Sequence, residues 1–326
     1  MQASTAFAQF QTTVNADPSS VAEARRRRDL FRETLTPLPD VVAVIPSGSL
    51  ARATQLDPIH DVDLIVEFTA EQHAGWGQPG DSADEALTYL AKQVMHALGA
   101  TDGSQAQEVR LTSKRNHVVK CFMDDPEGEN PFAVEVAAAL RQDDGTLLLP
   151  ERHNSRWITA DPEYLISQVA ERQAEWSDFV SLVRALKWWR KNAAKLEMKS
   201  LATEVLALRN LPPNQERPQA LAQFFTAAAT DVMYGVFDPA GHCGEIQPDL
   251  DREAARKKLL EAAGFANQAL DAENAGDLDR ALALWAKVFG SEFPQPAGVR
   301  GTSRSAPVAA SVATPTRRRI RDIPQG

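Results

Sequence analysis

The stretch Asp61-Val62-Asp63-Leu64-Ile65-Val66-Glu67-Phe68 constrains this chain more than any other. Its apolar residues predict a strand, and a strand's period of two sends Asp61 and Asp63 to one face while Val62 and Leu64 enter the core. Two adjacent carboxylates repel, so they need either the solvent of a strand end or compensating cations. Hard divalent cations take oxygen ligands and share bridging carboxylates, which makes paired Mg²⁺ ions the natural partner. Just upstream, Val41-Val42-Ala43-Val44-Ile45 reads as a buried strand, and Pro46-Ser47-Gly48-Ser49-Leu50 as a turn into a short helix. Free backbone N–H groups at that helix start, with the Ser49 hydroxyl, form an anion site without any basic side chain. A phosphate holder thus stands beside a metal holder.

The surrounding pattern predicts an α+β chain. Residues 3–35 read as one helix stopped by Pro37 and Pro39, and residues 84–98 as another, through Leu87, Leu90, Val94 and Leu98. Strands are expected at 109–112, 117–122 and 132–136, the first two joined by the basic tip Ser113-Lys114-Arg115-Asn116. A mixed sheet with helices is the expectation for residues 1–155. From Asp161-Pro162, a helix-start signal, the pattern stays helical to Gly290, so residues 156–296 form a helical domain. Phe179, Leu182, Val183, Leu186 and Trp189 make its apolar stripe, while Arg184, Lys187 and Lys191 share another face. Trp188, Trp189 and Trp285 read as packing rather than as base-stacking platforms. Residues 297–326 hold six arginines against Asp322 and no aromatic residue, the composition of a disordered basic tail.

Composition excludes other classes. A chain of 326 residues allows about two domains, and no apolar stretch approaches the roughly 18 residues of a membrane helix. The first residues lack a secretory signal, and two cysteines, Cys121 and Cys243, suit a reducing compartment, so cytoplasm is the expected location. No CxxC or HExxH spacing occurs, and His242-Cys243 reads as a loop. A net charge of −9 argues against coating duplex nucleic acid through bulk electrostatics.

Gly48-Ser49-Leu50-Ala51-Arg52-Ala53-Thr54 followed by Asp61-Val62-Asp63-Leu64 resembles the polymerase-β-type nucleotidyltransferase signature. With Arg52 and Thr54, it is most similar to the cGAS/DncV-like nucleotidyltransferases (CD-NTases), relatives of the oligoadenylate synthetases. Leu186-Lys187-Trp188-Trp189, Lys199-Ser200-Leu201 with Glu204, and the run from Trp285 to Pro294 resemble later motifs of that family. The resemblance implies a polymerase-β-like catalytic domain whose nucleotide cleft is closed by the helical domain. It implies two Mg²⁺ ions, or Mn²⁺, held by Asp61, Asp63 and a third acid. Glu135 stands where that acid falls, one methylene longer than the family's usual aspartate, with Asp124 and Asp125 as rivals. Gly48, Ser49, Arg52, Thr54, Lys187 and Ser200 are the implied nucleotide-binding residues. The implied activity is template-independent synthesis of a cyclic or short oligonucleotide second messenger from nucleoside triphosphates, in bacterial antiphage defence, read by a downstream effector. Some relatives are conjugated through their C-terminal residue, and Gly326 is suited to that. Two other readings remain: a transferase acting on an RNA, DNA or protein acceptor, and a catalytically silent nucleotide-binding regulator.

Overall fold

Pro18 breaks the first helix in two. The computed structural model describes residues 1–99, 108–129 and 131–296, and in it α1 spans Ala3–Val14 and α2 Pro18–Leu35. Asp17 caps α2 by accepting from the backbone N–H groups of Ser19 and Ser20, and Pro18 occupies the first helical position, where a missing N–H costs nothing. The break lets two helices that read as one serve different cores.

Strands β1 (Val41–Ser47) and β2 (Asp61–Phe68) flank the short helix α3 (Gly48–Ala51). After α4 (Ser82–Leu98) come β3 (Leu111–Lys114), β4 (Val119–Phe122), β5 (Ala133–Arg141), β6 (Leu147–Glu151) and β7 (Arg156–Ala160). The sheet runs β1-β2-β5-β4-β3, with β6 on the far end of β5 and β7 on β6. Among the described strands, only β2 and β5 are parallel neighbours. The sequence reading ended its third later strand at residue 136 and missed β6 and β7, because Ala137-Ala138-Ala139 and Leu147-Leu148-Leu149 carry no period-two signal.

Period two sorts the sheet into faces. Val62, Leu64, Val66 and Phe68 of β2 and Val134, Val136, Ala138 and Leu140 of β5 join Phe31 and Leu35 of α2 and Leu87, Leu90 and Val94 of α4 in one core. The opposite face carries Asp61, Asp63 and Glu135 at one end, then a small core of Ile65, Ala137 and Ala139 with Leu147, Leu149 and Ala160.

The helical half comprises α5 (Pro162–Glu175), α6 (Phe179–Trp188) continued by a π-helical turn, α7 (Ser200–Asn210), α8 (Arg217–Asp231), α9 (Arg252–Asn274) and α10 (Leu278–Phe289). Its core includes α1: Phe7 meets Trp285, Phe289 and Phe293 at centroid distances of 4.9, 5.7 and 4.9 Å. Helix α1 therefore packs with α10, the last helix of the described residues, whereas the sequence reading assigned it to the sheet half. Among the described residues no helix is long and apolar enough to cross a membrane. The expected basic tail and Gly326 lie outside the described residues.

Candidate active site

Register brings the predicted acids together. Asp63 of β2 pairs with Ser47 of β1 on one side and Glu135 of β5 on the other, and Asp61 lies two residues nearer the strand start. Gly48 follows Ser47 with φ +69°, and an added Cβ there would sit 1.6 Å from Asp63 Oδ2. The turn into α3 is thus pressed against the Asp63 carboxylate, an approach open only to glycine. The turn then closes on itself, with Arg52 N–H donating to Gly48 O at 3.3 Å and Thr54 N–H to Ser49 O at 2.9 Å.

The charges at this end are unbalanced. Burial and the neighbouring Asp61 and Glu135 push the Asp63 carboxyl well above the usual carboxylate range, against the pull of Arg52 and Lys120. Glu135 has a cation already: Lys120, its partner across β4, places Nζ 2.8 Å from Glu135 Oε1. Among the described residues no three His, Cys, Asp or Glu side chains converge on one ion-sized position, and the Lys120 pair accounts for Glu135. The donors still suit a hard divalent cation, since all are carboxylate oxygens. Glu135 would exchange Lys120 for the ion. The rivals are engaged elsewhere: Asp124 pairs with Arg27 and accepts from Phe132 N–H at 3.2 Å, and Asp125 accepts from Glu127 N–H at 3.0 Å.

The expected nucleotide-binding residues divide into two sets. Gly48 and Ser49 lie at the turn, and Ser200 opens α7. Arg52 and Lys187 instead form a buried layer with Glu204, which accepts from Arg52 Nε and Lys187 Nζ, both at 2.9 Å. All three side chains are 5% exposed or less, so both cations are withdrawn from solvent. Two flanking cations hold Glu204 down to about 2 despite its burial. One carboxylate faces two basic groups; burial lowers the Lys187 pKa while Glu204 opposes that shift, and the positive charge of Arg52 is felt at Asp63. Thr54 is also fully buried, its Oγ1 without a hydrogen-bond partner.

Other residues singled out in the sequence have defined surroundings. Lys114 of the hairpin tip donates to both Asp84 oxygens, at 2.8 and 2.7 Å, and is occupied on α4. Trp189 and Trp285 are buried in the helical core, as packing residues should be. Lys120 and the central role of Glu204 escaped the sequence reading. Lys120 did carry a signal, being the one charge in the run Val118-Val119-Lys120-Cys121-Phe122 and so fixed by period two on the face opposite Val119 and Cys121.

A glycine-serine turn against a strand bearing two aspartates, with a third acid on the adjacent parallel strand and a helical half attached, defines a nucleotidyltransferase of the polymerase-β type. Residues 1–173, more than half of the chain, match the SMODS family, the Second Messenger Oligonucleotide or Dinucleotide Synthetase domain. The chain belongs to that family, and with it to the CD-NTases. It is similar to a probable cyclic nucleotide synthase of Bacillus cereus, 23% identical over 90% of this chain and 98% of the relative. A cyclic AMP-AMP-AMP synthase of Acinetobacter is 27% identical over 52% of each chain. Among solved structures, CdnC of E. coli MS115-1 in complex with HORMA-deltaN has the same fold, with a TM-score of 0.68, 19% identity, and coverage of 89% of this chain and 98% of that one.

Proposed function

We propose that this chain joins nucleoside triphosphates into a cyclic or short oligonucleotide second messenger, with Asp61, Asp63 and Glu135 as its metal-binding acids. The observation that carries the reading is the Gly48 turn abutting Asp63, which brings the anion-holding backbone against the acid strand. Similarity to the cyclic nucleotide synthases and to CdnC solved with ATP supports it. Divalent cations, when bound, would neutralise triphosphate charge and lower the pKa of an attacking ribose hydroxyl.

The chain's own residues do the positioning. The N–H groups at the start of α3 and the Ser49 hydroxyl hold phosphate oxygens, and Ser200 approaches from the helical half. Asp61 and Asp63 orient the attacking hydroxyl against the phosphate so held, and the positive charge of Arg52 offsets the negative charge that develops on transfer. Arg52 and Lys187 act from beneath rather than by direct contact. The messenger would serve antiphage defence through an effector that senses it, and Gly326 would be the point of any conjugation.

Incubation with the four ribonucleoside triphosphates and Mg²⁺ or Mn²⁺, then phosphatase and mass spectrometry, tests this reading. A phosphatase-resistant cyclic species absent from the Asp61→Ala, Asp63→Ala variant is expected. Label transferred to a macromolecule would point to an acceptor transferase instead. Triphosphate binding without pyrophosphate release would point to a silent regulator, the reading that the Lys120–Glu135 pair favours.

A further inference from the structure

A cavity of about 320 Å³ lies where the two halves meet, and none of the three acids lines it. Its walls are Pro18, Val21 and Arg25 at the start of α2, Gln55 beyond the α3 turn, and Arg184 of α6. The volume sits at the lower end of the roughly 300–1,000 Å³ of small-molecule sites. Gly48, the first residue of α3, faces Asp63, whereas the cavity touches the segment that leaves the far end of that helix.

The lining is cationic and incompletely bonded. Arg184 Nη1 donates to Ala53 O at 2.7 Å, but Arg184 Nε is buried without a hydrogen-bond partner, and so is Gln55 Oε1. Both residues line the cavity, and each holds a buried polar atom that a ligand would complete once the side chain turns towards it. The other arginines of the 25–28 quartet each have an acid, Glu23 for Arg26 and Arg27 and Asp29 for Arg28. Among the described residues Arg25 and Arg184 have no carboxylate within 4.0 Å. Burial lowers the Arg184 pKa with no acid acting against it.

We propose that this seam is a second binding site, for a phosphate monoester carrying free hydroxyls, of the nucleoside monophosphate class. Its phosphate oxygens accept from Arg184 Nε and from Arg25 at the mouth, and a hydroxyl donates to Gln55 Oε1. Such a ligand ties α2, α6 and the segment leaving the Gly48 turn together. Binding here is independent of the catalytic reading above.

The test is calorimetric titration of 5′-AMP, adenosine and inorganic phosphate into the full chain carrying Asp61→Asn and Asp63→Asn, in EDTA, so that binding is read without catalysis or metal. AMP should bind at least about tenfold more tightly than either control, and Arg25→Gln and Arg184→Gln should each weaken it by about tenfold, the scale of one charge-assisted contact. Unchanged AMP affinity in Arg25→Gln would place the nucleotide elsewhere and overturn the proposal. So would the absence of AMP binding, or adenosine or phosphate binding as tightly as AMP. Arg25 is exposed, so its variant decides the matter even where Arg184→Gln fails to fold.

Discussion

At position 48 a φ of +69° and the Asp63 carboxylate leave room for a hydrogen and nothing larger. An L-residue in that conformation costs about 1–2 kcal/mol, and a methyl group must in addition push Asp63 aside. Gly48→Ala is expected to lower kcat by at least about 100-fold, because a shift of about 1 Å at reacting groups has that effect. Its melting temperature should fall by only a few degrees, and a variant with near-normal turnover would remove the turn from the mechanism. Lys120 makes a second prediction at this scale. Since it neutralises Glu135 at 2.8 Å, Lys120→Met should leave the Glu135 carboxylate without this cation and tighten Mn²⁺ binding, read by electron paramagnetic resonance titration. Unchanged Mn²⁺ affinity would mean that Glu135 is not a ligand.

Among the elements, α1 departs furthest from its sequence reading. It buries Ala3, Ala6, Phe7, Phe10 and Val14 in the helical core, and Phe10 meets Phe289 and Phe293 at 5.0 and 5.4 Å. The motif from Trp285 to Pro294 thus supplies aromatic sockets for the other end of the chain. Truncating a core aromatic costs about 3–5 kcal/mol, so Phe10→Ala should lower the denaturation midpoint accordingly. Hydrogen exchange should show the loosening in α1, α6 and α10 more than in the sheet. The reverse pattern would show that α1 supports the catalytic half instead. The cause of the misreading is local, since a proline interrupting helical periodicity marks either a kink or two helices, and only packing decides which.

For the whole molecule, the buried layer of Arg52, Lys187 and Glu204 joins the halves: Arg52 comes from the end of α3, Lys187 from α6 and Glu204 from α7. Removing the single carboxylate leaves two buried cations facing each other, and breaking such a pair costs about 3–5 kcal/mol. Glu204→Gln should lose that stability and also activity, because the turn carrying Gly48 loses its anchor. The pH dependence has a defined sign. The Glu204 pKa is depressed in the folded state from 4.5 to about 2, so its contribution is complete above pH 4.5 and is lost as pH falls towards 2. Acid unfolding of the native chain should therefore steepen between those values, and Glu204→Gln should lack that component. Superimposable acid profiles would refute the assignment.

The sequence alone determined the local facts. Period two placed Asp61 and Asp63 on one face, glycine and serine after a buried strand announced a turn into a short helix, and 3.6-residue spacing gave the helices of the second half. Those signals reside in residues close together in the chain, which one dihedral pattern can encode. The tertiary structure decided what depends on neighbours distant in sequence. It set Glu135 beside Asp63 by parallel register and gave it Lys120 as a partner, and it turned Arg52 and Lys187 inward to Glu204. It also gave α1 to the helical core. A cation's role depends on which carboxylate the fold brings within about 3 Å, and Coulomb energy in a low-dielectric interior then fixes it there. No spacing along the chain carries that information.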